Sequence, residues 1–200
     1  FTDKRDYENS LCEVLACETR SHHTLLDSAP LLQALASKQA TKQIYQQSLV
    51  RFLSAYQVIE PVIKEFELTN NIAQSLAYVE RLSKLLIDLR TSIGEDDLNL
   101  WLPSNPEVVF KLDNIASYWG ARYVLEGSTQ GGKFLLLHLK QTLNLNQQCS
   151  FEFFTLLSTL SQQWPTIKNT INNSVNNGSY QASINSAIAV FGIFQLSFNK

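Results

Sequence analysis

Apolar residues recur every third or fourth position along most of the chain, which is the spacing of α-helices with one buried face. No run of alternating apolar and polar residues indicates a strand, and no turn dipeptide indicates a hairpin. The pattern therefore predicts one all-α domain over residues 1–200. The predicted helices span residues 6–28, 42 to about 60, 72–91, 107–119, 114–143, 151–176 and 180–199.

Caps and prolines suggest where these helices begin and end. The DSAP stretch at 27–30 ends the first helix, because proline disfavours a helical residue before it. Thr41 is expected to cap the second helix. Pro61 can stop, kink or restart that helix. Pro106 is expected to open the 107–119 helix, with Asn105 as its cap.

Composition excludes several classes of protein. The formal net charge is −2 and the pI is about 5.9, so nothing indicates binding to nucleic acid or to an anionic membrane. The most apolar region, 187–198, is too short and too mixed to span a bilayer. Three cysteines without metal-binding spacing favour a reducing cytoplasm, and no signal peptide is expected.

Glycines are concentrated in the stretch ARYVLEGSTQGGKFLLL, residues 121–137. The segment GSTQGGK matches the core of a phosphate-binding loop. Phe134 stands where that loop needs a serine or threonine for Mg²⁺, and no sheet is predicted around it. A phosphate site is therefore the weaker interpretation.

The other interpretation is a helix with a bare face. Gly127 and Gly131 are four residues apart and share that face, with Gly120 near the same stripe. Each interior glycine costs about 1 kcal/mol of helix stability relative to alanine. Such a cost suggests that another body approaches closely, which can be a ligand or simply a neighbouring helix.

The N-terminal segment TRSHHTLLD, residues 19–27, contains a candidate metal ligand. His23 has small neighbours on its N-terminal side, and Asp27 at i+4 can accept a hydrogen bond from its second ring nitrogen. His22 points about 100° away around the helix. A solvated histidine remains the alternative.

Together, TRSHHTLLD and YVLEGSTQGG resemble the biliverdin-producing heme oxygenases, in particular their bacterial and phytochrome-associated branch. Weaker similarity covers nearly the whole chain. The resemblance implies an all-α fold in which heme lies between an N-terminal proximal helix and a kinked, glycine-rich distal helix. It implies oxidative cleavage of heme to biliverdin, with release of ferrous iron and CO.

The resemblance also implies roles for individual residues. His23 matches the heme-iron ligand, with Asp27 as its partner, and Gly127 and Gly131 match glycines that pack over the heme. Ser128 stands where some members have a catalytic aspartate. Further expected heme contacts are Tyr123, Gly132 and Phe191, with Phe198 less specific.

Departures from the family pattern leave some points open. Gln130 stands at a usual leucine position, and the TLLSTLSQQ stretch at 155–163 replaces small residues. Cations for the heme propionates can come from Arg20, Lys168, His138 or Lys140.

The resemblance also implies the cofactors and partners. Heme is both substrate and cofactor, and O2 is the co-substrate. Electrons must come from a separate ferredoxin or reductase, because no flavin or iron–sulfur motif is present. A bilin-accepting phytochrome is a candidate partner. A non-catalytic heme-binding or heme-transfer protein of the same fold is the alternative function.

Overall fold

Helices make up most of the computed structural model, which describes residues 9–101, 108–143 and 149–199. Short 3₁₀ turns lie at Gln74–Leu76, Ser161–Gln163 and Asn177–Ser179, and no strand occurs in these ranges. The all-α prediction is confirmed. The α-helices are α1 (Leu11–Glu18), α2 (Arg20–Asp27), α3 (Pro30–Leu35), α4 (Lys42–Thr69), α5 (Leu82–Ile93), α6 (Glu95–Trp101), α7 (Ile115–Thr142), α8 (Glu152–Leu160), α9 (Trp164–Ser174) and α10 (Tyr180–Phe198).

The prediction of a single helix over residues 6–28 is wrong, because the helix is interrupted at Thr19 between α1 and α2. The Thr19 hydroxyl is buried and donates to the Leu15 carbonyl over 2.6 Å. Side-chain bonds of this kind compete with the regular backbone ladder. His23 consequently lies on a separate short helix, α2.

The second helix begins as predicted, since the Thr41 hydroxyl accepts from the Ile44 N–H over 3.2 Å. Pro61 does not end it, and α4 continues to Thr69. Most of its inward face is fully buried. The burial of this face offsets the local cost of the proline.

Two other predicted starts are wrong, one because of a tertiary contact and one because of a local cap. Helix α5 begins at Leu82, ten residues later than expected from position 72. The buried carboxylate of Glu60, on α4, accepts from the N–H groups of Arg81 over 2.7 Å and Leu82 over 3.3 Å. Helix α7 begins at Ile115 behind a capping box at Asn114, so the 107–119 prediction fails over residues 108–114. The proposed Asn105 cap and Pro106 lie outside the described residues.

The predicted 151–176 helix is also divided, into α8, a 3₁₀ turn and α9. Asp88 of α5 caps α8 by accepting from the N–H groups of Glu152 over 2.7 Å and Phe153 over 2.9 Å. Phe151 takes a left-handed conformation with φ of 56° just before α8. The turn at Ser161–Gln163 then redirects the chain so that Trp164 begins α9 against α7.

Helices α4, α7 and α10 form the centre of the core. At Gly120 the backbone of α10 comes so close that an added Cβ would lie 2.0 Å from the Ser183 carbonyl oxygen. The Ser183 hydroxyl donates to the Ala116 carbonyl over 2.7 Å at the same crossing. At Gly120, therefore, the neighbouring-helix explanation of the glycine stripe is correct.

One stretch of the described residues, Asn177–Phe198, is long and apolar enough to cross a membrane by composition alone. Its most apolar window is 56% buried inside the protein. It includes α10, whose inward residues pack on α4 and α7. We therefore assign this stretch to the core.

Candidate functional site

The glycines of α7 differ sharply in what they face. A Cβ added at Gly131 would meet nothing within 4 Å, and one at Gly127 would make an ordinary contact of 3.6 Å with Trp164. A Cβ at Gly132 would lie 2.5 Å from Leu157 of α8. Gly131 thus faces open space and Gly127 borders Trp164 without crowding, and we call the side of α7 that these two glycines share the open face. Gly132 instead packs into the core. We remove Gly132 from the expected ligand contacts.

An aromatic cluster closes the N-terminal end of this open face. The rings of Tyr123 and Trp164 lie 5.6 Å apart, and the Lys168 ammonium lies 6.0 Å from the Trp164 ring centroid. Burial raises the pKa of Tyr123 to about 12, so its phenol stays protonated at neutral pH. The structure therefore brings together three residues that the sequence had indicated only in part: Tyr123, Lys168 and Trp164.

Helix α2 presents His23 in an exposed position. None of its eight residues is buried. His23 and Asp27 are each 65% exposed at their side chains, and the His23 Nδ1 atom lies 2.8 Å from the Asp27 Oδ2 atom. This contact confirms the predicted pairing. Helix α2 therefore leaves the side chains of His23 and Asp27 accessible to a ligand.

Helix α10 holds α2 in place. The Phe191 ring meets the His23 imidazole edge-on, with centroids 5.9 Å apart. Gln195 donates its Nε2 hydrogen to the carbonyl oxygen of half-buried His22 over 2.9 Å. His22 thus lies toward the protein, while His23 lies toward solvent.

The donor set at His23 fits that of a metal ligand. The Asp27 carboxylate engages Nδ1, and no residue that the structure describes hydrogen-bonds Nε2. A carboxylate on one ring nitrogen fixes the tautomer and raises the basicity of the other. The imidazole can therefore bind a metal through Nε2 while Asp27 orients the ring.

Ser128 lies on the exposed side of α7, close to a buried tyrosine. Its hydroxyl donates to the Leu125 carbonyl over 2.7 Å, and it lies near enough to Tyr56 of α4 to lower the pKa of that phenol. Burial is the main cause that raises the pKa of Tyr56 to about 12, although Arg81 and Ser128 oppose it. The Tyr56 phenol therefore stays protonated at neutral pH. The sequence analysis did not single out Tyr56, which its spacing made look like an ordinary core residue.

A buried charge network lies behind the same segment of α7. Arg81 donates from Nη2 to the Glu126 carboxylate over 2.9 Å, and Arg122 donates to the same carboxylate over 3.0 Å. Arg122 also pairs with Glu67 of α4 over 3.1 Å. Removing one partner of a buried pair typically costs about 3–5 kcal/mol. The signal that could have revealed the network is Glu126 inside the YVLEGST motif, directly before Gly127.

Three other expected residues have contacts of their own. Arg20, one turn before His23 on α2, lines an open groove of about 620 Å³ together with Cys17, Thr24 and Leu25. The Nε2 atom of His138 lies 2.8 Å from the Ser37 carbonyl oxygen. A carbonyl oxygen only accepts hydrogen bonds, so Nε2 is the donor and carries the proton. Phe198 packs on Phe52 with ring centroids 4.9 Å apart, as an ordinary core residue does.

Solved structures identify the fold as that of the heme oxygenases. The structure of heme oxygenase from Leptospira interrogans superposes with a TM-score of 0.70 at 20% identity, covering 95% of this chain and 98% of that chain. Heme oxygenase-1 from the cyanobacterium Synechocystis, solved in complex with heme, gives a TM-score of 0.60 at 15% identity, over 96% of this chain and 91% of that chain. No protein-family model matches the sequence, and no curated protein matches it. The fold implied by the resemblance is confirmed.

Proposed function

We propose that the protein is a heme oxygenase that cleaves heme to biliverdin and releases ferrous iron and CO. One observation carries the proposal. Within a heme oxygenase fold, an exposed histidine oriented by a carboxylate and a bare glycine face occur on two different helices. The TRSHH and EGSTQGG motifs place the same residues in the roles of iron ligand and distal glycines.

In this proposal, His23 binds the heme iron through Nε2, and Asp27 holds its other nitrogen. Gly127 and Gly131 let backbone rather than side chains lie over the opposite face, which leaves room for O2. Heme supplies both the iron that activates O2 and the ring that is cleaved. Phe191 supports the imidazole from the side of α10.

Ser128 contributes a hydroxyl group beside the open face. It donates to Leu125, so the lone pairs of its oxygen can accept from an ordered water. Such a water would be a proton source beside the open face. Tyr123 and Lys168, at the Trp164 end, are the proposed contacts for the polar edge of heme, with Arg20 as a second cation.

Electrons would come from a separate donor, a ferredoxin or a reductase. The proposed setting is the bacterial cytoplasm, and a phytochrome is a candidate acceptor of the bilin. Ser128 also supports a second candidate function, a heme-binding protein that does not turn heme over. A serine hydroxyl cannot carry the charge of the aspartate that some heme oxygenases use at this position.

Hemin titration tests the ligand assignment. We expect a Soret band that His23→Ala abolishes or shifts to the spectrum of weakly ligated heme. The matched control is His22→Ala, which removes the neighbouring imidazole and should leave the spectrum unchanged. Asp27→Asn should retain binding but shift the iron–histidine stretching frequency downward, because the imidazole loses its anionic partner. An unchanged spectrum in His23→Ala would disprove the assignment.

Reduction in air separates the two candidate functions. A heme oxygenase should convert the hemin complex to a bilin spectrum when a reductant and O2 are added, with CO released. A stable hemin complex that yields no bilin would favour the non-catalytic function. Chromatography of the product then identifies the bilin isomer.

A further inference from the structure

Phe134 is a large apolar side chain that the fold leaves in solvent. It is 71% exposed, although it lies on α7, whose inward face is part of the core. Exposing a phenyl ring forgoes a burial that stabilises most aromatic residues in proteins. A single exposed apolar residue needs no explanation by itself, so the position of Phe134 on the helix is what matters.

Phe134 lies on the open glycine face. It follows Gly131 by three residues and Gly127 by seven, so it is within about 60° of both around the helix axis. Helical side chains lean toward the N-terminus of their helix. Phe134 therefore borders the turn that contains Gly131, and the space directly above Gly131 is open, with no atom within 4 Å of an added Cβ.

The open face thus has an aromatic side chain at each end. Trp164 comes within 3.6 Å of the Cβ position at Gly127, and Phe134 stands at the other end. The helix rises about 10 Å between residues 127 and 134. The two rings therefore border a stretch of α7 about two turns long that includes Gly127 and Gly131.

We propose that Phe134 and Trp164 flank heme at opposite edges and fix its rotation on the face of Gly127 and Gly131. Phe134 is then a specificity-determining residue, because the rotation of the ring decides which meso carbon lies beside the bound oxygen. This inference rests on the proposed function and assigns a role to Phe134, which lies outside the TRSHHTLLD and YVLEGSTQGG segments. The occupant is heme because the open face belongs to a heme oxygenase fold and the exposed His23 supplies an iron ligand.

The test compares Phe134→Ala with Leu137→Ala. Leu137 is also on α7 and is 55% exposed, but it is turned about 80° from Gly127 and about 120° from Gly131. Each variant is loaded with hemin, and three quantities are measured: the hemin Kd, the heme orientations seen as shifted heme-methyl NMR signals of the ferric cyanide complex, and the ratio of bilin isomers. Phe134→Leu serves as an intermediate variant that retains apolar bulk.

We expect Phe134→Ala to raise the hemin Kd about tenfold, which corresponds to about 1.4 kcal/mol, and Leu137→Ala to change it less than about twofold. Phe134→Ala should also redistribute the heme orientations and the bilin isomers, and Phe134→Leu should lie between it and the parent. A role in stability alone would not move the orientations.

Each negative outcome has its own meaning. If the parent protein binds no hemin, the proposed function fails and this inference fails with it. If the parent binds hemin and Phe134→Ala matches it in all three quantities, only the role of Phe134 is disproved. If Phe134→Ala instead converts a dimer to a monomer in sedimentation while hemin binding is unchanged, the ring covers a second copy of the chain and the inference is wrong.

Discussion

The substitution Gly131→Ala is expected to make the protein more stable and to weaken hemin binding at the proposed site. Gly131 lies inside α7 with ordinary helical backbone, and the added Cβ would meet nothing within 4 Å. The substitution therefore removes the cost of an interior glycine without creating a clash. The same methyl group would project into the face where heme is proposed to lie.

The size of the stability gain follows from helix propensity. Replacing an interior glycine with alanine stabilises a helix by about 0.8–1.0 kcal/mol. For a chain of 200 residues, about 1 kcal/mol raises Tm by roughly 2–4 °C. We expect the hemin Kd to rise about tenfold in the same variant, because the backbone can no longer approach the ring.

Gly120 on the same helix provides the opposite case. There the added Cβ would lie 2.0 Å from the carbonyl oxygen of Ser183 and 2.6 Å from its carbonyl carbon. Both atoms are backbone, so α10 would have to move. Overpacking costs about 1–3 kcal/mol, and the upper end applies when a helix must shift. After the propensity gain of about 1 kcal/mol, Gly120→Ala should lose about 2 kcal/mol and roughly 4–8 °C of Tm.

Thermal unfolding of the heme-free variants, followed by circular dichroism, measures both changes. Hemin titration of the folded proteins gives the second readout for Gly131→Ala. A Gly131→Ala protein less stable than the parent would refute the assignment of open space above that residue. A Gly120→Ala protein as stable as the parent would refute the close crossing of α7 and α10.

Two further substitutions test contacts that position the site. Burial is the largest effect on the Glu60 carboxyl and raises its pKa above 4.5, so the folded state holds its proton longer than the unfolded state does. Urea unfolding measures the stability advantage of the parent over Glu60→Gln. This advantage should therefore be greatest below pH 4.5 and should decline as pH rises through the pKa of Glu60 in the folded state. An advantage that grows with pH would contradict this. Gln130→Leu removes the Nε2 donor that lies 2.9 Å from the Ser161 carbonyl, so it should lower the free energy of unfolding by about 1 kcal/mol. An unchanged free energy in urea unfolding would contradict this prediction.

Much of the candidate site could be predicted from the sequence because its contacts are local. The spacing of His23 and Asp27 places both on one helix face, and the observed contact of 2.8 Å follows from that spacing. The spacing of Gly127 and Gly131 likewise predicts a shared face on α7. Neither inference needed any knowledge of how the helices pack.

Predictions failed where a distant side chain decides the outcome. The start of α5 depends on Glu60, and the start of α8 depends on Asp88; both carboxylates cap a helix that is far away in sequence. The role of Gly132 failed for the same reason, since Leu157 occupies the space beside it. A periodic pattern shows that a face is apolar or bare, but it does not show which neighbour covers that face.

The sequence by itself determined the all-helical fold class, the capped start of α4, and the residue types that α2 and α7 contribute to the proposed site. Hydrophobic period, helix caps and short-range pairs act within a few turns of chain, so they can be read from the order of residues. Tertiary structure alone decided that Gly120 and Gly132 pack against other helices while Gly131 remains open. Four similar glycines differ in this way because only the packing of α8 and α10 determines where on α7 a neighbour is present.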